Sequence, residues 1–316
     1  MTGSPCVFCY CFDRKNTLPA IVSAQSVIDT LESKRPVLLH MITTDLAFDI
    51  SEIDTRGKDV RIEVSTIQNP FDAFPSRGHI SPATFLRFVI AQYVDPAHGR
   101  VLYLDTDIVL RSDVTDLFDL DLKDTPVAAV PDYPLVLGDK YWEGLTFSYG
   151  GRTYRSPEYM TEVLGVDWKN FDYMSVGVLL IDLAKWPAVC DAAIDFMASK
   201  ETLDFLDQDA ISAVLKGNFT RLPPEYNAQS EIAFGDGRSF WDRLRGWGDD
   251  LHRIARIWRT QAKIVHYAGA NKPWLEDAKP TALEGEWWRA ARRSKVFDRV
   301  AHLAYREQAK VGPRRC

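Results

Sequence analysis

No stretch of this sequence is apolar for long enough to span a bilayer: its longest runs without a polar residue, such as Val176–Ile181, fall far short of the ~20 residues that a transmembrane helix needs. Basic residues are missing ahead of the short apolar stretch Val7–Phe12, so the N-terminus does not read as a secretory signal and a cytoplasmic location is expected. Cysteine is sparse and odd in number, five in 316 residues, in a chain large enough to need no disulfide staples, which fits a reducing compartment. After Cys6-x-x-Cys9-x-Cys11 there is no second cysteine pair and no histidine at ligand spacing, so a zinc site gives way to a buried first strand with cysteine as a small hydrophobe. Excess positive charge is also lacking, and a net charge of −6 argues against nucleic acid as the main partner. With 46% apolar and 26% charged residues, disordered, collagenous and coiled-coil readings are excluded, and the length allows one large α/β domain or two small ones.

The charge is unevenly spread. Residues 289–316 carry nine Lys or Arg against Asp298 and Glu307, a local +7 that leaves −13 on the rest. Val296, Phe297, Val300, Leu303 and Ala304 are interleaved there with Arg292, Arg293, Lys295, Arg299 and Arg306 at helix-like spacing. Such a segment suits peripheral contact with an anionic membrane as well as it suits a solvated terminal helix.

Strand and helix patterns alternate along the first half: a strand over Val7–Phe12, a helix over Thr17–Leu31, and strands over Val37–Thr43 and Val60–Ile67. This alternation predicts parallel strands with crossover helices. Ser81-Pro82-Ala83-Thr84 reads as the start of an amphipathic helix through Tyr93, with Ser81 as N-cap and Pro82 in the first turn. Val101–Leu104 is a buried strand that stops abruptly at Asp105-Thr106-Asp107, where a ligand is expected beyond the carboxyl end of a strand. Val127–Val130, closed by Pro131-Asp132, and Val176–Ile181 repeat the strand pattern. Beyond Pro223-Pro224 the composition shifts, and six of the nine tryptophans, Trp241 and Trp247 included, fall in the last quarter.

Three segments carry candidate chemistry. Asp105 and Asp107, at i and i+2 of an extended chain, share one face and repel unless a cation lies between them, and a hard divalent ion such as Mg²⁺ or Mn²⁺ takes such oxygens. Lys263–Trp274 puts His266 directly after a short strand, Gly269 three residues on and Lys272 three further, a pattern of cation ligand, close backbone approach and phosphate-neutralising ammonium. Asp207-Gln208-Asp209 opens a helix through Leu215, where its oxygens serve either as caps or as partners of sugar hydroxyls and developing positive charge.

Together these three motifs, in order and with the Val176–Leu183 strand between them, resemble glycosyltransferase family 8 from about Val7 to Trp274. The family includes bacterial lipopolysaccharide galactosyl- and glucosyltransferases and glycogenin. The resemblance implies an α/β GT-A fold over residues 1–280, a mixed, mostly parallel sheet flanked by helices, with 281–316 as a smaller, basic C-terminal helical segment. It implies a retaining hexosyltransferase that takes a UDP-sugar donor to a saccharide or glycolipid acceptor, in lipopolysaccharide or other cell-surface glycan synthesis. Carried over by motif, Asp105, Asp107 and His266 are the Mn²⁺ ligands, with Mg²⁺ an alternative. Thr106, within the same motif, lies in the donor site, and Gly269 and Lys272 hold the diphosphate. Arg87 matches a basic residue near the donor, Asp132 and Asp207 match carboxylates on the donor sugar, and Gln208 matches the residue beside the anomeric carbon. Two positions depart from the family. Ser175, two residues before Gly177, replaces the usual Asn of the donor-sugar segment, and near the N-terminus Asp13 is the best match for a ribose or uracil contact.

Retention requires a covalent intermediate or attack from the face of departure. An amide is a poor nucleophile, so Gln208 fits same-face attack, supporting positive charge with its carbonyl, and Asp207 as nucleophile is the alternative. Two other readings stand beside transfer: a non-catalytic nucleotide-sugar-binding protein, and a glycoside hydrolase with paired carboxylates, which gives the His266–Lys272 segment no task.

Overall fold

The computed structural model describes residues 4–78, 80–138, 146–229, 249–281 and 283–305. Within them the strands are β1 (Cys6–Phe12), β2 (Val37–Thr43), β3 (Val60–Thr66), β4 (Arg100–Leu104), β5 (Ile108–Leu110), β6 (Val127–Pro131), β7 (Thr146–Tyr149), β8 (Arg152–Arg155), β9 (Met174–Asp182), β10 (Thr220–Arg221), β11 (Ala228–Gln229) and β12 (Ile264–His266). The longer helices are α1 (Thr17–Thr30), α2 (Trp186–Ala198), α3 (Asp207–Leu215), α4 (Asp249–Gln261), α5 (Glu284–Arg293) and α6 (Phe297–Ala304).

Seven strands form the central sheet in the order β10-β6-β9-β4-β1-β2-β3. Strands β3, β2, β1 and β4 run parallel and so do β6 and β10, whereas β9 is antiparallel to both neighbours. This is the mixed, mostly parallel α/β sheet expected, and its middle strands read as continuous apolar runs because both faces are covered. Strand β1 shows how alternation divides the core: Cys6, Phe8, Tyr10 and Phe12 enter one apolar cluster, and Val7, Cys9 and Cys11 enter the other. Cys6 therefore lies on the opposite face of the sheet from Cys9 and Cys11, and all three are buried and free.

Helix α1 covers the first face. It is buried from Pro19 to Ile28, and its interior polar groups find local partners. The Gln25 amide exchanges two 3.0 Å bonds with the Asp54 backbone, and the Ser23 hydroxyl donates to Tyr10 Oη at 3.1 Å. Helices α5 and α6 lie over α1 and share its apolar cluster through Trp287, Ala290, Ala291, Val296 and Val300, with Phe297 and Leu303 half-buried against it. The apolar stripe of the basic C-terminal segment is thus spent on the protein's own core. Its cations are partly engaged as well: Arg293 pairs with Asp29 at 2.7 Å, Arg299 with Glu52 at 2.6 Å, and Lys295 donates to Ser51 O. Residues 306–316, with Arg306 and Cys316, lie outside the described residues, as do Trp241 and Trp247. Among the described indoles, Trp186, Trp258, Trp274 and Trp287 are buried.

The second face is covered by α2, α3 and the segment after Ser81. That segment is helical to Tyr93 as expected, a 3-10 helix over Pro82–Val89 followed by one α-turn at Ile90–Tyr93. Pro82 is in its first turn, but the Ser81 side chain makes no capping bond. Phe85 to Val89 are five consecutive buried residues, which leaves no solvent face, and the Arg87 Nε–H donates to the Thr84 carbonyl at 3.0 Å. No described helix is long and apolar enough to cross a membrane.

Trp287 is fully buried, with its ring centroid 4.1 Å from that of Trp274 and 5.7 Å from that of Tyr267. Trp287→Ala is expected to lower the free energy of unfolding by about 3–5 kcal/mol, measured by urea denaturation. A loss near zero would show that α5 is not part of the cooperative core.

Candidate active site

Strand β4 ends at Leu104 in the seven-stranded sheet and β5 starts at Ile108 in a second sheet, ordered β11-β12-β5. Asp105-Thr106-Asp107 is the corner between them. Asp105 N donates to Gly177 O at 2.8 Å, continuing the β4–β9 ladder, and Tyr267 N donates to Asp107 O at 2.9 Å, continuing the pairing that sets His266 opposite Ile108. Two ladders therefore fix the two carboxylates and the imidazole independently of any side-chain contact.

One ligand atom from each of Asp105, Asp107 and His266 lies within 4.8 Å of the others. His266 Nε2 is 3.3 Å from Asp107 Oδ1 and 3.8 Å from Asp105 Oδ2. Asp107 Oδ1 is inaccessible to solvent and has no hydrogen-bond partner, a costly state for a carboxylate oxygen unless a cation takes it. Two carboxylate oxygens and an imidazole nitrogen are a donor set that suits a divalent cation of the Mn²⁺ or Mg²⁺ kind. The corner fits such an ion.

Glycine at 177 is what lets the corner close. A Cβ there would stand 2.3 Å from His266 Cε1 and 2.9 Å from Asp105 Oδ2, both inside contact distance. Fixed positive charges flank the carboxylates. Burial would raise the Asp107 carboxyl, but the Lys272 ammonium bonded to it and the His266 ring more than offset this and hold it well below the usual carboxylate range. Lys272 also donates to Tyr267 O at 2.8 Å. Arg87 is buried and bridges Asp105 Oδ1 and Asp207 Oδ2 at 3.0 Å each, donates to Val176 O at 2.7 Å, and lies over the Tyr103 ring.

Across the cleft, helix α3 presents Asp207, Gln208 and Asp209 at its N-terminus. Leu206, buried at φ +45°, makes the turn that aims this end inward, a left-handed conformation that costs a non-glycine residue on the order of 1 kcal/mol. Gln208 Nε2 donates to Asp132 Oδ2 at 3.0 Å and to Tyr173 Oη at 3.2 Å, and its Oε1 accepts from Val176 N at 3.2 Å. Asp209 is fully buried and accepts from Tyr173, Tyr159 and Phe205 N, and burial pushes its carboxyl up to about 6 despite these bonds. Burial also raises Asp132 and Asp207, the latter against the pull of Arg87.

Between these walls lies a cleft of about 400 Å³ whose lining also takes in Asn16, Tyr103, Phe205 and Gln229. Of the residues expected in the site, Arg87, Asp105, Thr106, Asp107, Asp132, Ser175, Asp207, Gln208, His266, Gly269 and Lys272 all line it. Gly269 has φ +80°, where glycine is favoured. Two residues stand elsewhere. Gly177 lies beneath His266 rather than in the lining, and Asp13 is occupied with Asn16, accepting from its Nδ2 at 2.8 Å, so that Asn16 and not Asp13 lines the cleft. Sequence reasoning missed Tyr103, Tyr173 and Asn227. Tyr103 was legible, since it shares with Asp105 the i, i+2 face of β4 and donates to it. Tyr173 and Asn227 reach the site from distant segments and carry no local signal.

The family model for glycosyl transferase family 8 matches residues 6–278. General stress protein A of Bacillus subtilis is 26% identical over 265 residues, which covers 80% of this chain and 82% of that protein. The lipopolysaccharide 1,3-galactosyltransferase of Salmonella typhimurium is 26% identical over 207 residues, 64% of this chain, and the alignment spans only about half, 52%, of that relative. Among solved structures, galactosyltransferase LgtC in complex with donor and acceptor sugar analogs superposes with a TM-score of 0.65 at 22% identity, covering 93% of this chain and 95% of that one. This likeness establishes the GT-A fold.

The space at Gly177 makes a direct prediction. Gly177→Ala is expected to displace His266 and weaken Mn²⁺ binding by tenfold or more while the protein stays folded, read by isothermal titration and circular dichroism. Unchanged Mn²⁺ affinity would mean that the corner does not depend on this close approach.

Proposed function

The chain belongs to glycosyltransferase family 8, and on that premise we propose that it transfers a hexose, glucose or galactose, from a UDP-sugar to a saccharide acceptor with retention of anomeric configuration. The observation that carries this reading is the convergence of Asp105, Asp107 and His266 on one corner with a buried, partnerless carboxylate oxygen, beside Lys272. These three residues would hold the divalent cation, Mn²⁺ or Mg²⁺. Bound there, the cation supplies charge neutralisation for a departing nucleoside diphosphate.

The chain's own residues divide the remaining work. Lys272 and the backbone at Gly269 bind phosphate. Arg87, tied to Asp105 and Asp207, holds the corner and the α3 end in one rigid unit. Asp132 and the Ser175 hydroxyl face donor-sugar hydroxyls, and Asp207 lies at the same end of the cleft. Gln208 stands beside the reacting carbon. Its amide nitrogen is held by Asp132 and Tyr173, and Oε1 keeps a second lone pair for the positive charge that develops there. Asp207 is unsuited to act as nucleophile, because Oδ1 accepts from Thr84 Oγ1 at 3.1 Å and Oδ2 faces the Arg87 guanidinium. Attack of the acceptor hydroxyl on the face that the leaving group departs from, with its proton passing to the released phosphate oxygen, fits this arrangement.

The family relatives support lipopolysaccharide or another cell-surface glycan as the product and a glycolipid as one form of acceptor. Cytoplasmic residence with peripheral contact to an anionic membrane through 289–316 belongs to the same proposal. With the apolar stripe of α6 buried, that contact would rest on the basic side chains alone.

Turnover of a panel of nucleotide sugars with and without Mn²⁺ tests the reading. The expected result is Mn²⁺-dependent hydrolysis or transfer of one UDP-sugar, reduced by at least a hundredfold in Asp107→Ala. Metal-independent behaviour across the panel, or an Asp107→Ala variant as active as the wild type, would remove the transferase assignment of this corner.

A further inference from the structure

Asn227 stands in the turn that leads into β11, is fully buried, and does not line the cleft. Its side chain nevertheless touches two groups that do. Oδ1 is 3.0 Å from His266 Nδ1, and Nδ2 donates to Ser175 Oγ at 3.0 Å. We propose that Asn227 is a positioning residue that couples the cation ligand His266 to the donor contact Ser175, so that cation binding and donor-sugar recognition are set by the orientation of one amide. The inference rests on the reading of the cleft given above.

The two ends of a carboxamide are nearly the same size, and one is only an acceptor while the other is only a donor. The space around Asn227 therefore admits two orientations with opposite consequences. With Oδ1 toward the ring, Nδ1 carries the imidazole proton and Nε2 offers its lone pair to the corner, as a metal-ligating histidine must. In that same orientation Nδ2 donates to Ser175 Oγ, and the Ser175 proton is left for a partner in the cleft. With the amide reversed, Nδ2 donates to Nδ1, so the proton resides on Nε2 and points toward Asp107 Oδ1 at 3.3 Å. Oδ1 then accepts the Ser175 proton, and the hydroxyl no longer has a donor for a sugar. Both groups are competent together or neither is.

The orientation seen here is the competent one, with Oδ1 toward the ring and Nδ2 toward the Ser175 hydroxyl. A cation held by His266 and a donor held by Ser175 each favour this same orientation, so by reciprocity each strengthens binding of the other by the same factor.

The test uses the full chain and two readouts besides turnover: Mn²⁺ affinity without nucleotide by isothermal titration, and the protonated nitrogen of His266 from ¹⁵N-labelled imidazole spectra with and without Mg²⁺. Asn227→Ala is expected to weaken Mn²⁺ binding about tenfold. Asn227→Asp, whose carboxylate can only accept, is expected to keep Nδ1 protonated and restore Mn²⁺ affinity to at least the wild-type level. Because that carboxylate also takes the Ser175 proton, UDP-sugar binding in Asn227→Asp should remain as weak as in Ser175→Ala, which itself binds Mn²⁺ normally. In the wild type, the Mg²⁺-bound protein should carry the His266 proton on Nδ1. If Asn227→Asp, folded by circular dichroism, binds Mn²⁺ as poorly as Asn227→Ala, or if Nδ1 of the Mg²⁺-bound wild type is unprotonated, the coupling is overturned. Normal Mn²⁺ affinity in Asp107→Ala would instead overturn the cation site on which it rests.

Discussion

Two carboxylates within 4.8 Å of each other at the edge of a protein interior repel by about 3–4 kcal/mol at an effective dielectric near 20. Everything around the corner of the two sheets answers that repulsion. Arg87 and Lys272 each take one carboxylate, and the imidazole of His266 stands between the two. The arrangement is paid for by burial of an arginine, which is tolerable because the guanidinium finds two carboxylates and two carbonyl oxygens at once. What the chain does not supply is a well-formed hydrogen bond to Asp107 Oδ1, which has only His266 Nε2 near it at 3.3 Å, and that deficit is where a cation fits.

The backbone makes this corner rigid. Because the β4–β9 ladder runs through Asp105 and the β5–β12 pairing runs through Asp107, neither residue is free to turn away, and the Gly177 contact leaves the imidazole no room to retreat. A site of this kind is preorganised: the cost of bringing like charges together is met in folding, and binding need not supply it. The opposite wall is built from buried polar groups instead. Asp209 anchors Tyr173, Tyr173 and Asp132 hold the amide of Gln208, and burial raises the Asp209 carboxyl against the bonds it accepts. Arg87, shared by Asp105 and Asp207, locks the two walls together.

Much of this was legible in the sequence. Apolar runs bounded by polar residues located the central strands to within a residue or two, and the abrupt end of Val101–Leu104 at Asp105 marked the carboxyl edge of the sheet. His266-x-x-Gly269-x-x-Lys272 was readable because each residue type suits a separate task, the imidazole at a cation and the glycine and ammonium at a phosphate. The helix expected from Ser81 to Tyr93 is present, but it winds as a 3-10 helix over Pro82–Val89, since periodicity shows that a segment is helical and buried but not how tightly it winds. Asp13 entered the expected site as the best match to the family's ribose or uracil contact, and in the structure its carboxylate holds the backbone and amide of Asn16, which lines the cleft. The C-terminal stripe was correctly amphipathic, and amphipathicity alone does not say whether the apolar face meets lipid or α1.

By itself, then, the sequence determined most strands of the central sheet, the residue types that could hold a divalent cation and a phosphate, and the family to which the chain belongs, because each depends on residue type at short spacing. Only the tertiary structure decided which residues stand behind them. Gly177 is required because β9 passes under His266, Asn227 matters because β11 carries its turn between His266 and Ser175, and Tyr173 orients Gln208 from a strand entrance more than thirty residues away. Those contacts join parts of the chain whose separation in sequence has no bearing on their distance in space, so no local pattern can encode them.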